Sequence, residues 1–324
     1  MFTYVVRRTL IAIPLLVLIS IILFVILNNA PGGPLGPYLQ NPHITPADIA
    51  RLKHNLGLDK PLWYQYLAWL GTVLHGDFGY STSNSEPVLD AIMQRLPATL
   101  ELMGCSFIVS LAIGISAGIF SAVRPYSAWD YFITTLAFFG QSMPVFWFAL
   151  MLQLLFSVHG IPLPMGYQII LPSAGISSYD QFNFGDRVDH LILPVIVLAL
   201  LNLALYSRFM RSSLLEVTRT DYIRTAAAKG LSSWTILFKH GLKNALIPVV
   251  TIVALSFPGV LGGAIVTEYI FAWPGAGRMF YEALQQSDIA LMMGYLLIIA
   301  VAVVFSNLIA DVLYAWLDPR VKYD

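Results

Sequence analysis

The sequence predicts an all-α protein that threads a membrane six times, and three observations carry that expectation. Apolar residues make up 57% of the 324 residues and charged residues only 11%, against roughly 45–50% and about 25% in soluble domains. The apolar residues gather into six stretches, over about 9–30, 97–122, 131–158, 190–210, 245–267 and 289–316, each long enough for the ~20 residues a bilayer crossing needs. None holds a Lys or Arg deep inside, apart from those at one end of the fourth. Each central Leu, Ile, Val or Phe favours insertion by roughly 0.3–0.6 kcal/mol.

Charge and cysteine usage exclude other classes. Eighteen basic residues balance 18 acidic ones, so the chain has no basic excess for nucleic acid. The single cysteine, Cys105, rules out internal disulfides and thiolate clusters. The six histidines, at 43, 54, 75, 159, 190 and 240, lack the spacing of metal ligands.

The first stretch reads as a retained helix. Arg7 and Arg8 resemble the charged start of a signal peptide, but the apolar run Leu10–Leu27 is longer than the usual ~7–15 residues and no A-x-A site follows. The cluster Pro31-Gly32-Gly33-Pro34-Leu35-Gly36-Pro37 then stops it and opens a long external segment, 31–96. A second external segment, 159–189, is interrupted by prolines, and a third, 268–288, contains Trp273-Pro274-Gly275. A polar cytoplasmic segment, 211–244, separates the fourth and fifth spans. Orientation follows from the basic residues. With both termini inside, 12 of the 18 lie on the cytoplasmic side: Arg7, Arg8, Arg124, Arg208, Arg211, Arg219, Arg224, Lys229, Lys239, Lys243, Arg320 and Lys322.

The segment 211–244 holds the most specific local signals. Thr220 is placed to cap a helix whose first turn carries Asp221. Ala226, Ala227 and Ala228 favour that helix, Lys229 lies in its last turn, and Gly230 suits the left-handed position after it. Ser232 or Ser233 can cap a second helix beginning at Trp234. The first helix would show Tyr222, Ala226 and Lys229 on one face, either for a groove on another protein or for packing on its own chain.

At this point the chain resembles a known family, the permease subunits of bacterial ATP-binding-cassette importers for dipeptides, oligopeptides and nickel. Their cytoplasmic signature is E-A-A-x-x-x-G. Anchored on Gly230, its first three positions are Arg224-Thr225-Ala226, closer to a peptide-permease form, and Ile247-Pro248 resembles the closing Leu-Pro. Further similar motifs are Gly57-Leu58-Asp59-Lys60-Pro61, Gln65-Tyr66, Gly76-Asp77-Phe78-Gly79-Tyr80-Ser81, Pro97-Ala98-Thr99-Leu100-Glu101-Leu102 and Ser142-Met143-Pro144-Val145-Phe146-Trp147. Phe271-Ala272-Trp273-Pro274-Gly275-Ala276-Gly277-Arg278 and Asp318-Pro319-Arg320 complete the set, and Gly33 stands where these permeases commonly carry Asp.

The resemblance implies a type I importer fold in the bacterial inner membrane, a second homologous permease, separate ATPase subunits and an extracytoplasmic solute-binding protein. This chain has no G-x-x-x-x-G-K-[ST] loop, so ATP and Mg would sit on the partner subunits and the chain itself would need no cofactor. Coupling would run through Asp221, Tyr222, Arg224, Thr225, Ala226, Ala227, Ala228, Lys229, Gly230 and Leu231. Gln141, Ser142, Met143 and Asn202 are candidates to line the pathway, or to bond between helices. Trp273, Pro274, Gly275 and Arg278 are candidates to face the binding protein, with Trp273 alternatively an interface anchor. Glu101 and Asp311 are expected near hydrated span ends. The competing reading is a self-sufficient secondary transporter, but the internal repeats and mid-membrane carboxylates typical of that class are not evident here. An intramembrane enzyme would need a catalytic constellation that the sequence does not show.

Overall fold

The computed structural model describes residues 2–30, 33–39, 43–162, 164, 168–261 and 264–317. The chain begins with α1 (Phe2–Asn28), and the segment after it folds into α2 (Gly36–Leu39), α3 (Pro46–Asn55) and α4 (Leu62–Leu74). Thr45 caps α3 and exchanges bonds with Asp48 in a capping box. The helix α4 folds back onto α1, where Phe24 meets Tyr66 and Trp69, with both pairs of ring centroids 5.6 Å apart. Next come α5 (Val88–Val123), α6 (Ala128–Ser142) and α7 (Val145–Gln153), the last continuing as a π turn (Leu154–His159). A two-residue hairpin pairs β1 (Ile161–Pro162) antiparallel with β2 (Gln168–Ile169), Ile161 opposite Ile169. The rest is α8 (Phe184–Thr218), α9 (Asp221–Ala228), α10 (Ser233–Thr235), a π turn (Ile236–Leu242), α11 (Lys243–Leu261), α12 (Ile265–Ile270), α13 (Ala276–Gln285) and α14 (Ile289–Leu317).

Among the described residues five helical stretches are long and apolar enough to cross a membrane, and the bent pair α6–α7 would make a sixth. Three boundaries differ from the sequence expectation. The second span begins at Val88, not near 97, with Pro97 accommodated inside α5. The third apolar stretch, 131–158, is not one rod but two helices bent by 106°. Pro144 lacks a donor, and its ring pushes Met143 out of the helical region, to φ −81° and ψ 135°. The helix leading into the fifth span begins at Ser233, so only 219–232 of the polar segment 211–244 lies outside long helices. Pro31, Gly32, Asp318, Pro319, Arg320 and Lys322 lie outside the described residues.

The centre of the molecule is the contact between α5 and α8, the most extensive between any two helices. Ser106, Ser110, Gly114, Gly118 and Ala122 recur at every fourth position of α5 and are all buried. That spacing lines small residues along one face and lets two backbones approach. The helices run parallel: Gly114 lies against Leu203 and Tyr206, and Gly118 against Ser207 and Met210. A Cβ on Gly118 would sit 2.6 Å from both Met210 Cβ and Ser207 O, so even alanine does not fit without separating the helices. Elsewhere α1 packs on α14, and Arg8 Nε lies 2.5 Å from Asp311 Oδ2, paired by charge without hydrogen-bond alignment.

Gly118→Ala is expected to lower the thermal unfolding temperature of the purified protein, reflecting an overpacking cost of about 1–3 kcal/mol. Gly104→Ala, on an open face of the same helix, should leave it unchanged. Equal melting of the two variants would show that the close approach is not a determinant of stability.

Candidate functional site

Two ends of the helix bundle concentrate polar chemistry. At one end α8 finishes at Thr218 and α9 follows after a two-residue turn. Thr220 occupies the N-cap position of α9 but does not cap it. Its hydroxyl donates back to Val217 O at 2.6 Å, which competes with the capping bond. The inward face of α9 carries Ile223 and Ala226, both buried. Tyr222, Ala226 and Lys229 therefore do not form one outward face, because Ile223 is the large apolar side chain and takes the core side with Ala226. Asp221, Arg224, Thr225, Ala227, Ala228, Lys229, Gly230 and Leu231 are exposed, and Arg224 Nη1 reaches Asp221 Oδ1 at 3.3 Å.

The exit of α9 is closed as its sequence predicts. Gly230 has φ +75°. Its N–H donates to Ala227 O at 3.0 Å and that of Leu231 to Ala226 O at 3.4 Å, the paired bonds of a Schellman motif. Ser232 then caps α10 by accepting from Thr235 N at 3.3 Å. Trp234 and Phe238 stack 5.2 Å apart on the exposed surface.

This short helix is bonded to α11, which is in turn bonded to α8. Asn244 Nδ2 of α11 donates to Tyr222 OH at 2.9 Å. Beside it, Ser213 Oγ of α8 donates to Ala245 O of α11 at 2.8 Å. Met210, Leu214, Ala245, Val249 and Ala122 form one buried apolar cluster joining α5, α8 and α11. The π turn Ile236–Leu242 brings Gly241 against Leu214.

The predicted pathway residues lie along α6 and α8. Gln141 and Ser142 are exposed at the α6–α7 elbow, Met143 is half-buried and Asn202 is exposed. Ser142 Oγ bonds back to Phe138 O at 2.8 Å. The structure does not gather these residues into one chamber. Gln141 lines a cavity of about 400 Å³ between α6 and α8. Asn202 lines a second of about 400 Å³ with Ser106, Tyr206 and Ser256. Gln153 bonds between segments, donating to Ser173 O at 2.6 Å and Ile270 O at 3.1 Å.

At the opposite end the expectation for the segment 268–288 requires correction. Trp273 and Gly275 are buried and present no surface to a partner, while Pro274 is exposed. Trp273 Nε1 donates to Ala98 O at 2.8 Å, and the Arg187 guanidinium lies 5.2 Å from its ring centroid. Arg187 forks onto Glu101 at 2.8 and 2.5 Å, so Glu101 is paired rather than simply hydrated. Arg278 is half-buried, its Nε on Glu282 Oε1 at 2.7 Å and its Nη1 on Ala272 O at 2.8 Å.

Two buried carboxylates in this region escaped sequence reasoning. Glu268 is fully buried, accepting from Thr99 Oγ1 at 2.8 Å and Arg278 N at 2.9 Å. Gly275 makes room for it, since a Cβ there would come within 2.2 Å of Glu268 Oε2. Asp288, also fully buried, accepts from Ser81 Oγ at 2.6 Å, Ser83 N at 3.1 Å and Leu291 N at 3.1 Å. Their hydroxyl partners, Thr99 and Ser81, lie 169 and 207 residues away along the chain. The one local signal was Asp288 standing ahead of the last helix as an N-cap.

Comparison with known proteins completes the assignment. Residues 1–103 match the family described as "Binding-prot-dependent transport system membrane comp, N-term", and residues 114–323 match "Binding-protein-dependent transport system inner membrane component". The chain is 46% identical over 325 residues to the oligopeptide transport system permease protein AppB of Bacillus subtilis (strain 168), covering 100% of both chains. It is 39% identical over 337 residues to the dipeptide transport system permease protein DppB of Escherichia coli (strain K12), covering 100% of this chain and 99% of that one. Among solved structures it is similar to an inward-facing MetNI methionine ABC transporter. The TM-score is 0.56 and the identity 17%, over 72% of this chain and 99% of the other, a likeness of fold alone. With its membrane-length helices and these full-length matches, the chain belongs to the inner-membrane permease components of binding-protein-dependent transport systems.

Proposed function

We propose that this chain forms, with a second homologous permease, the pathway of an ATP-driven importer for di- or oligopeptides. Separate ATPase subunits hold the ATP and Mg, and a solute-binding protein delivers the peptide from outside. The substrate class is supported by the peptide-transport names of the relatives. In this reading both termini and α9 face the cytoplasm, which agrees with the distribution of basic residues.

The observation that carries the reading is the attachment of α9. A ligand or nucleotide shifts a two-state transporter only through different affinities for the two states, so force from an ATPase must reach the spans through a rigid element. The helix α9 offers Asp221, Arg224, Thr225 and Ala228 outward while Ile223 and Ala226 hold its inner side. Tyr222–Asn244 and Ser213–Ala245 tie it and α8 to α11. Movement of α9 is thereby transmitted to the fourth and fifth spans together, and these border the cavity lined by Asn202.

Gly230→Val should reduce both ATPase co-purification and uptake. A β-branched residue at φ +75° carries strain of about 1–3 kcal/mol, while Gly230→Asn, which tolerates that conformation, should keep most of both. Unchanged uptake in Gly230→Val would reject the lever.

Reconstitution separates the leading reading from an ion-driven carrier. Peptide uptake into proteoliposomes should require the second permease, the ATPases, the binding protein and ATP. Uptake by this chain alone on a proton or sodium gradient would overturn the proposal.

A further inference from the structure

The cavity of about 400 Å³ between α6 and the second half of α8 has a chemistry that the pathway reading does not use. Its lining includes Arg208, Arg211, Tyr126, Tyr131, Ala137 and Phe138. Arg211 donates from Nε and Nη2 to Asp130 at 2.8 and 2.7 Å, which neutralises the carboxylate and leaves Nη1 of that guanidinium without a bond to it. Arg208 is exposed and has no carboxylate partner among the described residues. The groove therefore carries a net positive charge. Tyrosine hydroxyls stand beside that charge, and an apolar wall of Ala137 and Phe138 runs on along α6.

The start of α6 also marks where this groove sits. Tyr126, Trp129, Tyr131 and Phe132 are all exposed within seven residues. Clustered aromatics of this kind belong at the boundary between hydrocarbon and headgroups. The mouth of the groove is then level with phosphates, and its apolar wall extends toward the acyl chains.

We propose that this groove binds an anionic phospholipid, its phosphodiester held by Arg208 and Arg211 and one acyl chain lying along Ala137 and Phe138. Basic pockets between membrane helices recognise lipid headgroups in this way. A guanidinium offers a planar fork of donors that matches two phosphate oxygens. The inference needs only the insertion of the chain in a membrane, not the identity of the solute or the ATPases. Its failure would leave the proposed function untouched.

The test uses the assembled transporter in nanodiscs of phosphatidylglycerol or phosphatidylcholine, with retained lipid counted by native mass spectrometry after detergent extraction. Phosphatidylglycerol should be retained selectively, and Arg208→Gln should reduce its retention about fivefold, the factor for one basic residue near a charged surface. Arg208→Lys should restore part of it, and Arg219→Gln, an exposed basic residue outside the groove at the same end, should change nothing. Thermal unfolding should shift upward with phosphatidylglycerol and not with inorganic phosphate. Equal retention in Arg208→Gln and wild type would overturn the proposal. So would a shift produced by phosphate alone, or a crosslink placing position 208 against the second permease with no lipid retained.

Discussion

Everything else in this molecule is arranged around the close approach of α5 and α8. In a membrane, lipid is as apolar as leucine, so helices associate through packing and hydrogen bonds rather than through exclusion from water. Gly114 and Gly118 let α5 seat itself against Leu203, Tyr206, Ser207 and Met210 with no intervening side-chain layer. The apolar cluster of Met210 and Leu214 with Ala245 and Val249 extends that contact to α11. The short helix α9 hangs from the paired ends of α8 and α11. In the proposed coupling α9 would act as a lever, which transmits only what its mounting resists, and the small-residue contact would supply that resistance.

The opposite end is held by polar rather than apolar means. Among the described residues no arginine or lysine side chain touches the buried Glu268 and Asp288, and each carboxylate is satisfied by hydroxyl and backbone donors. Burying a charge is costly unless it is hydrogen-bonded, so these groups fix their surroundings tightly. Thr99 and Trp273 tie the segment 271–278 to α5 at Ala98 and Thr99, and Ser81 ties the segment before α5 to the head of α14. Arg187 and Glu101 complete the fastening by joining α8 to α5. The residues expected to reach outward for a partner are largely those that close this end of the chain.

Much of the fold was legible because hydropathy reports on length and bulk apolarity, and six apolar stretches are hard to mistake. The exit of α9 was equally legible, since Gly230 and Ser232 act through their own backbone and immediate neighbours. What stayed hidden depends on distance in sequence or on near-neutral residues. A window average passes over Ser106, Ser110, Gly114 and Gly118, because small residues are neither polar nor apolar enough to register. It also smooths across Pro144, although the bend there is 106°. The burial of Trp273 rests on Ala98, 175 residues away, and the Pro-Gly that follows it suggested an open loop. Thr220 holds the expected N-cap position without the capping bond for a local reason: a hydroxyl at the end of one helix and the start of the next has two available bonds, and it donates to the carbonyl behind it.

The wide turn at Ile236–Leu242 has one more implication. Such a turn stores a surplus residue inside an otherwise regular coil. Passing that surplus along by one position would re-aim only the residue it crosses, by ~100° about the helix axis, leaving the coil on either side in place. Trp234 precedes the turn and Phe238 lies within it, so a shift across Phe238 would turn that ring away and break its stack on Trp234. The surplus residue thus sits at the entry to the fifth span, just after α9.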